Sequence, residues 1–120
     1  MTEKEIIFSA QALRETSEND MKWAGELLEM FKVDLADRIA KIKGILKNSD
    51  PNINDLRIHF HTIKSSAGSV GAVSLSEKAL KLERASVAKD LEYIKEKLEE
   101  FDRIAEKSVV EFENMIVRSS

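Results

Sequence analysis

The sequence contains no cysteine, one proline and only four glycines among its 120 residues. The absence of cysteine excludes disulfides, thiolate metal sites and cysteine nucleophiles. The scarcity of proline and glycine argues against a protein rich in tight turns and favours helices. No stretch approaches the roughly 20 apolar residues that cross a bilayer, and the first residues lack the basic-then-apolar order of a signal peptide. We therefore expect a soluble, cytoplasmic protein without membrane insertion.

The charge balance offers no basic surface for nucleic acid. Nineteen Lys and Arg residues face 22 Asp and Glu residues, which gives a net charge of −3 with both signs interspersed. Neither a nucleic-acid footprint nor a polybasic membrane stripe is present. Hydrophobic residues make up 42% of the chain, enough for one compact core. We predict a single domain over residues 1–120 whose partners are proteins.

Apolar residues at helical spacing predict two helices in the first 50 residues. A short helix is expected from about Glu3 to Arg14. A long helix should follow, with Ser17 or Asn19 as its N-cap, and should end before the Asn48-Ser49-Asp50-Pro51 segment. Its buried stripe is expected to contain Leu27, Leu28, Phe31, Leu35, Ile39, Ile42 and Leu46.

Three more helices are expected after this break. The third should run from Pro51, capped by Asp50, to about Val70, with Gly71 as a left-handed exit. The order Ser74-Leu75-Ser76-Glu77 predicts a capping box at the start of a short fourth helix. A near-heptad pattern after Asp90 predicts a long final helix. Together these elements predict an all-α fold, an up-down-up-down antiparallel four-helix bundle with an additional short N-terminal helix.

The chain has two histidines, His59 and His61. On one helix they are separated by about 200°, so they cannot bind one metal ion together. The predicted core stripe of this helix contains Leu56, Phe60, Ile63 and Ala67. His59 lies on the flank of that stripe, where packing explains it well, whereas His61 lies towards solvent.

The helical neighbours of His61 suit a phosphoryl acceptor. A nucleophilic imidazole needs an unprotonated ring nitrogen, access for a partner and positive charge for the phosphoryl oxygens. Arg57 at i−4 and Lys64 at i+3 supply that charge. No Asp or Glu lies three or four residues away to orient the ring, which disfavours a hydrolytic triad, and no glycine-rich phosphate loop supports nucleotide binding.

Three further residues are candidates for a partner surface around His61. Gly68, on the same face, removes a side chain where another backbone would approach. Ser65 at i+4 adds a hydroxyl that could bond a phosphoryl oxygen. Ile58 projects from the core stripe, and is either a second packing edge or an apolar docking point.

The run from His61 to Ala72, HTIKSSAGSVGA, resembles the signature of histidine-containing phosphotransfer (HPt) domains, approximately His-x-Leu-Lys-Gly-Ser followed by small residues and Gly-Ala. Phe31 and the pair Leu82-Glu83 also lie where that family has a Phe and a Leu-Glu pair. The resemblance implies that His61 is the phosphoacceptor, that Lys64 stabilises the phosphoryl group and that Gly68 leaves room for a receiver domain. Ser65 departs from the usual Gly, which puts partner preference in doubt.

The resemblance implies a phosphorelay intermediary without ATP-dependent kinase activity. His61 would accept a phosphoryl group from a receiver-domain aspartyl phosphate and pass it to another receiver Asp. The partners would be response-regulator receiver domains, either separate or within a hybrid sensor histidine kinase. This chain would bind no cofactor or metal, and Mg²⁺ would lie on the receiver. We expect a monomer.

Two other functions remain open on the sequence. A helical adaptor could bind a signalling partner without phosphotransfer, with His61 incidental. A helical dimerisation module is supported only by the heptad-like last helix, whose stripe the intramolecular core already explains.

Overall fold

The computed structural model describes residues 7–119 and is helical throughout, with no strand among those residues. The five helices are α1 (Ala10–Ser17), α2 (Met21–Leu46), α3 (Ile53–Val70), α4 (Val73–Val87) and α5 (Leu91–Ser119). The predicted fold class, a helical bundle with a short N-terminal helix, is therefore confirmed. No described helix is both long and apolar enough to cross a membrane.

The four long helices form a closed antiparallel bundle. Each of α2, α3, α4 and α5 packs against two of the others, and α1 lies against α2 and α3. Two ion pairs show that α2 and α5 run in opposite directions, because Lys32 pairs with Glu113 whereas Lys43 pairs with Asp102. The predicted stripes of α2 and α3 supply much of the core, including Phe31, Leu35, Ile42, Leu56, Phe60 and Ile63. The helices α4 and α5 add Leu75, Leu82, Ile94, Phe101 and Phe112.

Aromatic contacts connect the layers of the core. The Phe60 ring of α3 meets the Phe101 ring of α5 edge-on, with centroids 5.7 Å apart. At the other end, Phe112 lies 5.6 Å from Phe8 and 6.2 Å from Phe31. Such pairs add about 0.5–1.5 kcal/mol beyond their area burial. Phe8, in the segment before α1, therefore packs against α5.

The predicted bounds of the first helix are wrong. Residues 3–6 of the predicted range lie outside the described residues, and α1 begins only at Ala10 because Ser9 is its extended N-cap and accepts from the Ala12 N–H. The helix then continues past Arg14 to Ser17. The Ser17 hydroxyl is buried and donates back to the Leu13 carbonyl, so Ser17 cannot cap α2.

Three other predicted caps are wrong by a few residues. Asp20 caps α2, where its carboxylate accepts two backbone N–H groups, because Asn19 has a left-handed backbone. Asn52, not Asp50, caps α3, and Pro51 therefore precedes the helix. The predicted capping box at Ser74 does not form, since α4 already begins at Val73, after Ala72. Asp20 and Asn52 are themselves good capping residues, whereas Ala72 makes no side-chain cap hydrogen bond.

The predicted exit at Gly71 is confirmed, and the turn it makes sets the register of α3 against α4. Gly71 has φ of 90°, and a Cβ there would lie 2.3 Å from the Ser9 carbonyl oxygen. The Ser9 N–H donates to the Gly71 carbonyl at 2.6 Å, and the Thr16 hydroxyl bonds the Ser69 carbonyl. The chain around α1 therefore closes over the α3–α4 turn, where only glycine fits.

Candidate functional site

His61 lies on the outward face of α3, opposite the buried stripe of that helix. Its side chain is 52% exposed, as predicted from helical geometry. The adjacent helix α4 runs antiparallel to α3 and brings Glu83 beside it. The Glu83 side chain is only 15% exposed, so one edge of the imidazole meets a largely buried carboxylate while the rest of the ring faces solvent.

The contact between His61 and Glu83 selects the tautomer of the imidazole. Nδ1 of His61 lies 3.0 Å from Oε2 of Glu83. An ionised carboxylate can only accept hydrogen bonds, so Nδ1 must carry the hydrogen. In a neutral ring the hydrogen on Nδ1 leaves Nε2 with a free lone pair. The structure therefore provides a solvent-accessible histidine whose Nε2 can act as a nucleophile.

Lys64 completes a three-residue network. Its Nζ donates to Oε1 of Glu83 at 3.0 Å, so the two carboxylate oxygens bind one cation and one imidazole N–H. Burial opposes ionisation of Glu83, but the hydrogen bonds from Lys64 and then His61, with the Lys64 charge, outweigh it and lower the pKa of this carboxyl below its usual value. Glu83 is thus held as the anion beside His61.

Arg57, Ile58 and Ser65, three other predicted site residues, lie near His61 on α3. Arg57 is half-buried and directs its guanidinium to the Asn54 side chain, at 3.2 Å, so it supplies positive charge one turn away. Ile58 and Ser65 are exposed on the same outer face of α3. Ile58 is 41% exposed, so part of its side chain is not covered by packing within the chain.

Gly68 also lies exposed on α3. The nearest atom to a Cβ at this position would be the Ser76 hydroxyl oxygen, at 3.4 Å, and that hydroxyl donates to the Lys64 carbonyl. Packing within the chain would therefore admit an alanine, so the fold itself does not require glycine here.

His59 is separate from this network. It is half-buried between α3 and α2, where Nδ1 accepts from Nη1 of Arg38 at 3.1 Å. Burial, then the charges of Arg38 and Lys41, lowers the pKa of His59. The flank position predicted for it is confirmed. Among the described residues no group of three or more His, Cys, Asp or Glu side chains is arranged to hold a metal ion.

Glu83 is the site residue that helical spacing around His61 does not predict. Helical spacing would place an acid that orients His61 three or four residues away on the same helix, whereas the carboxylate belongs to α4, 22 residues along the chain. The signal that could have found it is the Leu82-Glu83 pair: Leu82 is buried in the core, which turns the next residue towards α3.

Comparison with known proteins agrees with this geometry. The family model of the Hpt domain matches residues 26–115, most of the chain, from α2 to the last turns of α5. Searches of curated proteins and of solved structures give no match. Hpt domains carry phosphoryl groups rather than act as kinases, and they interact with response-regulator receiver domains. The chain belongs to the Hpt domain family and has a histidine phosphotransfer role in phosphorelays.

Proposed function

We propose that His61 is the phosphoacceptor, and that it takes a phosphoryl group from the aspartyl phosphate of one receiver domain and passes it to the Asp of another. The observation that carries this proposal is the bond from Nδ1–H to Glu83, which leaves the Nε2 lone pair facing solvent. Nε2 attacks phosphorus in line, the N–P bond forms, and the P–O bond to the receiver Asp breaks to release its carboxylate.

Glu83 positions His61, and Lys64 supplies positive charge. When Nε2 carries the phosphoryl group and Nδ1 keeps its hydrogen, the ring is a cation, which the adjacent carboxylate stabilises. The bond to Glu83 holds Lys64 beside the imidazole. In this proposal its ammonium group attracts the phosphoryl oxygens, and such positive charge provides the electrostatic stabilisation that phosphoryl transfer needs.

Arg57, Ile58, Ser65 and Gly68 form the surrounding partner surface in this proposal. Ile58 is 41% exposed and offers an apolar contact beside the nucleophile, while Gly68 lets the receiver backbone approach. The receiver would hold Mg²⁺ in its own acidic pocket, and this chain would bind no cofactor. We further propose that residues 1–120 act as one monomeric domain.

The test is transfer from a phosphorylated receiver domain to the purified chain, followed as acid-labile, alkali-stable phosphate. We expect label on the wild type and none on His61→Gln. His59→Gln is the matched control and should still be labelled. Failure of the folded wild type with every competent receiver would contradict the proposal and favour a docking module without phosphotransfer. Label that persists on His61→Gln would assign the acceptor elsewhere.

A further inference from the structure

The outer face of α2 exposes large apolar side chains that the bundle does not use. Met30 is 62% exposed and Val33 69%. Trp23 is 39% exposed at the start of the same helix. At about 100° per residue, these three side chains fall within an arc of about 80°. They form an apolar strip on one side of α2, which we call the α2 strip.

Acidic residues surround the α2 strip. Between positions 22 and 37 the helix carries four carboxylates, Glu26, Glu29, Asp34 and Asp37, and two cations, Lys22 beside Trp23 and Lys32. Lys32 turns away from the strip towards α5, where it pairs with Glu113. Asp34 and Asp37 pair with the following Arg38 and Lys41. Glu26 and Glu29 have no ion-pair partner in the part of the chain that the structure describes.

The α2 strip is separate from the site around His61. Arg38 marks the side of α2 that faces α3, because it contacts His59. Lys32 marks the side that faces α5. Met30 and Val33 lie on the remaining side of the helix, away from α3, from α5 and from the Glu83 network on α4. A partner bound to this strip would leave Nε2 of His61 accessible.

We propose that the α2 strip binds a basic amphipathic helix of another protein. An apolar stripe flanked by acids is complementary to a helix with an apolar stripe flanked by Lys or Arg. A second copy of this chain would place the same acids against each other across a two-fold axis. Nucleic acid and anionic membranes would be repelled for the same reason. This binding goes beyond phosphotransfer and does not depend on it.

The test uses the full ¹⁵N-labelled chain and two synthetic helical peptides of about 15 residues, one of Leu and Lys and one of Leu and Glu with the same apolar pattern. We expect the Leu/Lys peptide to shift amides of α2 around Met30 and Val33. The double variant Met30→Lys/Val33→Lys should weaken this binding about tenfold or more, while its circular dichroism and its phosphoryl acceptance on His61 stay unchanged.

The double variant Val87→Lys/Val110→Lys is the matched control, because it changes the charge equally at exposed valines on α4 and α5, and it should bind like the wild type. Equal binding of the Leu/Glu peptide, shifts that map elsewhere, or absence of binding would overturn the proposal. Slower phosphoryl acceptance by Met30→Lys/Val33→Lys would also overturn it, since the strip would then belong to the receiver interface.

Discussion

Glu83 on α4 accepts a hydrogen bond from His61 on α3 at 3.0 Å, so the tautomer of the proposed nucleophile depends on the packing of two helices. The same carboxylate holds Lys64 at 3.0 Å. The register of α3 against α4 is set by the Gly71 turn, and that turn is in contact with Ser9. The state of the imidazole is thus a tertiary property of the bundle.

Glu83→Gln should slow phosphoryl acceptance by His61. The amide oxygen can still accept from Nδ1–H, but the negative charge that stabilises a phosphorylated, cationic ring is lost. We expect a rate about ten- to a hundredfold lower, measured with a phosphorylated receiver, with the fold unchanged by circular dichroism. Glu77→Gln, an exposed acid on the same helix, is the control. A wild-type rate in Glu83→Gln would show that the carboxylate does not act on His61.

The sequence predicts the features of this site that depend on the periodicity of one helix, but not those that depend on contacts between helices. Exposure of His61 and burial of Phe60 and Ile63 follow from the helical period alone, and both predictions are confirmed. The contact with Glu83 joins residues 22 apart in sequence. No periodicity on α3 contains that information, because it depends on how α4 packs.

The predicted N-caps of α3 and α4 are wrong for a different reason. Asp50 and Ser74 are good capping residues, but Asn52 and Ala72 occupy the cap positions instead. Several residues near each break suit a helix start, and tertiary packing chooses among them. The close approach of Ser9 to Gly71 also selects where α1 begins, and it is visible only in the folded chain.

Stability should fall in acid partly through Glu83. Its folded pKa lies below the ordinary value of 4.5, so its network stabilises the fold fully above that value. This contribution is lost as the pH falls through the lower, folded pKa. Urea unfolding across this acidic range should show a smaller loss of stability for Glu83→Gln than for the wild type. Identical pH profiles would mean that the network contributes nothing to folding.

Gly71→Ala should destabilise the fold. Alanine would adopt a left-handed backbone at φ of 90°, and its Cβ would overlap the Ser9 carbonyl oxygen. Strain of this kind costs on the order of 1–3 kcal/mol before the clash is added. Urea denaturation should therefore give a lower free energy of unfolding. Gly44→Ala is the control, since nothing lies within 4 Å of a Cβ at that exposed helical position. Equal stability of the two variants would contradict this account of the turn.

Gly68 differs from Gly71, because its substitution should increase stability and impair phosphoryl transfer. Gly68→Ala removes a helix-destabilising glycine and places Cβ at an ordinary contact distance of 3.4 Å from the Ser76 hydroxyl, so the free energy of unfolding should rise by about 0.5–1 kcal/mol. Gly68→Gln should also fold. Because its side chain projects from the proposed partner surface beside His61, it should slow phosphoryl acceptance by roughly tenfold or more.

The two measurements, urea unfolding and transfer from a phosphorylated receiver, decide between a structural and an interfacial role for Gly68. Gly44→Ala should gain similar stability and transfer at the wild-type rate, because Gly44 lies on α2, near the end of that helix. A normal transfer rate in Gly68→Gln would remove Gly68 from the receiver interface. Unfolding of Gly68→Ala would instead show that α3 and α4 need the glycine to pack. The combination expected here, a stable chain that transfers slowly, requires a partner that approaches the backbone at this position.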